Sequence, residues 1–133
     1  MTNPLRFINP PGMSKPTGYS HLAVATGGKT IYISGQVALD QDRNLVGRND
    51  LRAQTEQVFK NLKTALAAAG TDFDHVVKLT YFVLDATQMP VVREVRDQFL
   101  NKQSPPASTA VEVRRLVMDD WLIEVDAIAV IPD

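Results

Sequence analysis

The chain has 133 residues, 44% of them apolar, with a net charge of −1 from 14 basic and 15 acidic side chains, and no cysteine. That length supports one domain over residues 1–133 and excludes two of ordinary size. The missing cysteines exclude disulfides, thiolate metal sites and a cysteine nucleophile, and the dispersed, near-neutral charge argues against a nucleic-acid binder, which needs a positive face to displace counterions.

Along the chain, a short strand near residues 5–8 is followed by an irregular segment containing Pro10, Pro11, Gly12, Pro16 and Gly18. The opening stretch Met1-Thr2-Asn3-Pro4-Leu5-Arg6 has no apolar leader core. Nothing approaches the roughly 18 apolar residues of a membrane span. A soluble, cytoplasmic protein is expected. Two partly β-branched runs, residues 21–26 and 31–35, flank Gly27-Gly28-Lys29 and read as a β-hairpin.

A polar loop over residues 37–49 leads to Asn49 or Asp50, either of which can cap a helix over about 50–69. Its apolar stripe is Leu51, Val58, Leu62, Ala65 or Leu66, and Ala69, with Gly70 as the stop. Residues 75–83 read as a strand. Thr87 is a plausible cap for a second helix that carries Pro90 in its first turn and buries Val92, Val95 and Phe99.

After a loop over 101–106, strands are expected over 107–117 and 122–131, joined by a turn at Met118-Asp119-Asp120-Trp121. On the last strand Ile123, Val125, Ala127, Ala129 and Ile131 share one face; Leu122, Glu124, Asp126, Ile128 and Val130 share the other. The order β-β-α-β-α-β-β, with the extra N-terminal strand, predicts a two-layer α+β fold.

Chemistry-bearing motifs are sparse. His21 and His75 lack partners at metal-ligand spacing, so no metal is expected. Gly27-Gly28-Lys29 lacks the rest of a phosphate loop, and no serine sits in a Gly-x-Ser-x-Gly context. Glu124 stands out as a carboxylate in an apolar strand, where an unpaired charge is costly. It reads either as the ion-pair partner of Arg114 or Arg115 across a terminal hairpin, or as a base that holds a water.

Four segments together resemble the RidA family (YjgF/YER057c/UK114). They are Ile33-Ser34-Gly35-Gln36; the helix from Gln54-Thr55-Glu56 to Ala69-Gly70; Val77-Lys78-Leu79-Thr80-Tyr81-Phe82-Val83 with Asp85; and Pro106-Ala107-Ser108-Thr109-Ala110-Val111-Glu112-Val113, continuing to Ile123-Glu124-Val125-Asp126-Ala127. The match runs in order along essentially the whole chain.

The resemblance implies a chorismate-mutase-like fold, a homotrimer built around a barrel of strands, and a small-molecule ligand in each inter-subunit cleft, with no cofactor. Family members of the archetypal kind hydrolyse enamines and imines. In them an arginine grips the substrate carboxylate through its forked donors, and a glutamate positions water. By that likeness the catalytic glutamate is Glu124, and Tyr19, Ser34, Gly35 and the Ala110 amide line the cleft. The arginine position holds Ser108 instead. A neutral hydroxyl cannot replace a bidentate cation. Arg93, aligned with a cleft-lining asparagine, either supplies the missing charge or is a solvated residue paired with Asp97.

Three functional classes follow. One is an enamine/imine hydrolase (deaminase) of altered specificity. Another is a non-catalytic small-metabolite binder. An endoribonuclease or translation inhibitor has little support from charge or composition.

Overall fold

Asp50, in extended backbone, accepts the Ala53 amide at 3.0 Å and so starts helix α1, Leu51–Ala68. Asn49 is not the cap; it takes a left-handed φ of 57° one residue earlier. Gly70, at φ 84°, carries the chain out of the helix. Val58, Leu62 and Leu66 are fully buried, as the stripe predicts. Gln54, Thr55 and Phe59 share that face. The Gln54 carboxamide is fully used: it donates to the carbonyls of Gly47 and Asp120 at 3.1 and 3.0 Å and accepts the Leu122 amide at 2.9 Å.

The structure, a computed structural model, describes residues 4–133; Met1–Asn3, part of the stretch read for a leader, lie outside them. Six strands accompany the helices: β1 (Leu5–Ile8), β2 (Leu22–Ala25), β3 (Lys29–Gln36), β4 (Val76–Val83), β5 (Ala107–Glu112) and β6 (Ile123–Ile131). Helix α2 spans Met89–Arg96, with Pro90 in its first turn. Thr87 does not cap it. Asp85 accepts the Thr87 amide at 3.0 Å and begins a single 3-10 turn, Ala86–Gln88, that feeds α2.

Strands β1 and β2 form an antiparallel ribbon; the other four form one sheet in the order β3-β6-β4-β5. Strands β4 and β5 are parallel, joined through α2, and the remaining neighbours are antiparallel. Ser20 bridges Ala107 and donates its amide to the Pro106 carbonyl at 3.1 Å, which ties the start of β2 to the β5 edge.

Two expected pairings do not form. Strand β2 is not the hairpin partner of β3: it pairs with β1, while β3 pairs with β6. Gly27 and Gly28, both at positive φ, turn the chain against the C-terminal strand, where any side chain on Gly28 would strike the Ile131 carbonyl. The alternating apolar face of β6 is what β3 needs to complete the core, and local turn chemistry is overridden. Likewise β5 and β6 are not a hairpin. Strand β5 ends at Glu112, and β4 lies between the two. Arg114 and Arg115 therefore never stand opposite Glu124, whose in-register neighbour is Phe82.

Both helices cover one face of the four-stranded sheet. The core there joins Val58, Phe59, Leu62 and Val92 to Leu79, Tyr81, Val125 and Ala127. The other face is free of helix and carries Tyr32, at 78% exposure, with Glu124 and Phe82. This is the expected two-layer α+β arrangement.

Candidate functional site

The sheet register sorts the expected site residues into two groups. Glu124 alternates with the buried Ile123 and Val125, so it projects from the helix-free face. It is half-buried, and among the described residues it forms no ion pair. Beside it β3 carries a bulge: Ile33 pairs with Ala127 but Gln36 with Val125, so the intervening Ser34 and Gly35 oppose Asp126 alone. Strict alternation would send Gly35 into the core with Ile31 and Ile33. The bulge instead sets it against the Glu124 carboxylate, where a methyl group would lie 2.8 Å from the carboxyl carbon. Ser34, Gly35 and Glu124 thus form one group.

Glu124 borders a cavity of about 440 Å³ with Phe82, Val113, Leu116 and Val117 as its apolar walls. Arg115 lines the same cavity. Its guanidinium donates to the carbonyls of Leu116 and Val117 at 3.0 and 3.1 Å and pairs with Asp119 at 2.9 Å. The ion-pair reading of Glu124 is thereby corrected: Arg115 shares its cavity but is committed elsewhere.

Tyr19, Ser108 and Ala110 form the second group, at the opposite edge. Ser108 and Ala110 stand in register with Leu79 and Tyr81, both buried under the helices, so they lie on the helix side of β5. The open-face partner of that strand is Thr109, which accepts from the Lys78 ammonium at 2.6 Å. Tyr19 adjoins the Ser20 bridge to β5 and meets His21 edge-to-face with centroids 5.5 Å apart. Within one chain, Ser108 and Glu124 are thus on opposite faces, with β4 between their strands and roughly 10 Å between those strands.

Arg93 is exposed on α2. In its own chain the sheet separates it from Glu124. Its expected partner Asp97 is taken by Arg96, whose Nε and Nη2 both donate to Asp97 Oδ1, at 3.1 and 3.0 Å. Arg96 is the residue that sequence reasoning missed. It is buried to 8% exposure, and its guanidinium lies against Gly18, where a Cβ would meet Nη2 at 2.5 Å. The signal was present: position 96 falls on the stripe of Val92, Val95 and Phe99, so a charged residue occupies a buried helical face. Nearby, the Tyr81 hydroxyl is buried and, among the described residues, has no hydrogen-bond partner of normal geometry. Burial pushes its pKa above the ordinary tyrosine value, and the Arg96 charge only partly opposes this.

The described residues contain no cluster of three or more metal-ligating side chains, and none of their helices is long and apolar enough to cross a membrane. The model of the family described as Endoribonuclease L-PSP matches residues 12–131, nearly the entire chain just described. The chain belongs to the RidA family. A RutC family protein of Synechocystis is 33% identical over 129 residues, covering 96% of this chain and 98% of that one. A 2-iminobutanoate/2-iminopropanoate deaminase of Dermatophagoides farinae is 32% identical over 130 residues, 97% of this chain and 98% of the relative. A crystal structure of a Rid-family protein of unknown function from Yersinia pestis superposes with a TM-score of 0.86 at 34% identity, covering 97% of this chain and all of the other. The likeness to the Yersinia pestis structure thus spans nearly the whole fold.

Proposed function

We propose that this RidA-family chain hydrolyses small enamines or imines with altered specificity, in clefts between the subunits of a homotrimer. One observation carries the reading: Glu124 is a half-buried carboxylate that forms no ion pair among the described residues, on the rim of an apolar cavity and facing the side-chain-free Gly35. Such a carboxylate can accept a proton from water and aim the oxygen at an imine carbon. The proton passes to the imine nitrogen. The resulting carbinolamine passes its hydroxyl proton to nitrogen as the C–N bond breaks and the C=O bond forms, leaving a carbonyl compound and ammonia, and no cofactor is required.

The split between the two residue groups supports an assembly. A cleft in which the β5 edge of one copy faces the open sheet of the next would unite Tyr19, Ser108 and Ala110 with Ser34, Gly35 and Glu124. Arg93, exposed on α2, can contribute only across such a boundary or not at all. Exposed apolar side chains, Tyr32 at 78% and Val117 at 75%, support burial of the open face. The relative named a 2-iminobutanoate/2-iminopropanoate deaminase supports the reaction class. A cytoplasmic setting belongs to the same proposal, in keeping with a chain that uses no cysteine.

The test is ammonia release from 2-iminobutanoate generated in the assay by an amino-acid oxidase. The protein should accelerate it, and Glu124→Gln should abolish the acceleration. A second reading, a non-catalytic metabolite binder, is favoured by Ser108, which puts a neutral hydroxyl where the resemblance expects arginine. Binding of small carboxylates without any acceleration would select that reading.

A further inference from the structure

The unassigned cavity beside Arg96 answers the question that Ser108 raises. It measures about 250 Å³, and its walls include Gly18, Arg96, Asp97, Asn101, Lys102 and Pro105. We propose that this cavity is the anion subsite of the protein, with Arg96 and Lys102 taking the carboxylate of a small organic acid. The proposal rests on the cleft reading for its meaning, since the cavity wall runs directly into cleft residues.

Three observations carry it. First, position: Gly18 precedes Tyr19, and Pro105 lies three residues before Ser108. The two segments are locked together, because the Ser20 hydroxyl donates to the Pro105 carbonyl at 2.5 Å and its amide to the Pro106 carbonyl at 3.1 Å. The cavity is therefore walled by the two segments that lead into Tyr19 and into the start of β5.

Second, donor supply. Asp97 engages Nε and Nη2 of Arg96, and among the described residues Nη1 makes no hydrogen bond of normal geometry, the neighbouring Tyr81 hydroxyl feeling the guanidinium charge. Lys102 is exposed and, among the described residues, its ammonium makes no hydrogen bond or ion pair. Two cations against one carboxylate leave the cavity one positive charge in excess. A guanidinium held by Asp97 and by contact with Gly18 is pre-oriented, so little rotamer freedom is lost when it binds an anion.

Third, size and cost. The volume is below the roughly 300–1,000 Å³ of drug-sized pockets and suits a ligand of a few heavy atoms. A charge as buried as Arg96 is costly to keep unless its remaining donor is used. A carboxylate on Nη1 would use it, and the Lys102 ammonium would supply the second contact.

The test uses pyruvate as probe, with methyl pyruvate as its uncharged counterpart, followed by amide chemical shifts of the full-length protein. Pyruvate should perturb Gly18, Asn101 and Lys102; the ester should not. Lys102→Ala changes an exposed residue and should leave the fold intact while weakening pyruvate about tenfold, the scale of one charge-assisted contact. Arg96→Gln should weaken it further. Because that buried variant can lose stability, its folding is checked by thermal melting, and Lys102→Ala carries the decision if it unfolds. Equal binding of acid and ester, indifference to Lys102→Ala, or perturbation confined to the residues around Glu124 would overturn the subsite.

Failure here is separable from failure of the hydrolase reading. Glu124→Gln should stop turnover yet leave pyruvate on Arg96 and Lys102. Turnover that depends on Glu124 but ignores both cations removes the subsite alone. Pyruvate binding that depends on the cations, with no imine turned over, removes the hydrolase alone.

Discussion

Gly35→Ala separates the role of Glu124 from the stability of the sheet around it. The added methyl would lie 2.8 Å from the Glu124 carboxyl carbon and 2.9 Å from its Cγ. Comfortable carbon contacts begin near 3.5 Å, so the side chain must retreat by roughly 0.6 Å at those atoms and by about 1 Å at the carboxylate oxygens. A misplacement of about 1 Å in a reacting group can cost on the order of a hundredfold in rate, or about 2.7 kcal/mol of barrier. The backbone does not suffer, because φ at Gly35 lies outside the left-handed region. Replacing a strand glycine by alanine stabilises by about 0.5–1 kcal/mol, and crowding on a half-exposed face offsets this by a similar amount. The expected outcome is a melting temperature within about 5 °C of the parent, beside a kcat/KM for imine hydrolysis lowered about a hundredfold. Full activity in a folded Gly35→Ala protein would refute the placement of Glu124 as the water-positioning group. Loss of the fold would refute the account of the bulge as a tolerant, surface-facing feature.

Tyr32→Glu puts a charge on the most exposed aromatic of the open face; light scattering should show a trimer mass falling to that of single chains, and an unchanged trimer would exclude this face from the interface. Leu62→Ala empties a fully buried position and should cost about 2–5 kcal/mol in urea unfolding, with a smaller loss showing that the helix-sheet core is less tightly packed than described. Tyr81→Phe removes a buried hydroxyl that, among the described residues, has no hydrogen-bond partner of normal geometry, and should leave stability at neutral pH unchanged or slightly raised. Because the folded pKa of Tyr81 is raised, folding favours the protonated phenol, and its contribution is lost as pH climbs above the unfolded value near 10. The stability difference between parent and Tyr81→Phe should therefore shift in favour of the variant above about pH 10, and parallel curves would contradict the burial.

Elements whose signals are local were legible in the sequence. Asp50, the stripe through Val58 and Leu62, and Gly70 bound α1 by propensity and capping alone. Strand β6 was legible because its alternation is long and uninterrupted. Strand pairing was not. Gly27-Gly28 has the composition of a hairpin turn, yet β2 and β3 part company because the partner of β3 is chosen by burial a hundred residues later. The same reasoning displaced the terminal hairpin: β4 inserts between β5 and β6, which no local pattern announces. For the site, Glu124 drew notice as a charge among apolar neighbours. Arg96 carries the same signature on α2, a charge on a buried helical stripe, whereas Arg93 is exposed. Gly35 facing Glu124 depends on a bulge, and an extra residue in one strand is invisible without its partner.

The buried carboxamide of Gln54 has a further consequence. By holding the amide of Leu122 and the carbonyl of Asp120, it pins the chain just ahead of β6 to a helix that cannot slide. If β6 entered the sheet one position early or late, its two sides would trade places, delivering Glu124 to hydrocarbon and Val125 to water. Such a slip would also strand both ends of the Gln54 amide in a dry interior. A single uncharged side chain thereby sets the phase of the strand, and with it the side of the sheet on which a carboxylate can meet a substrate.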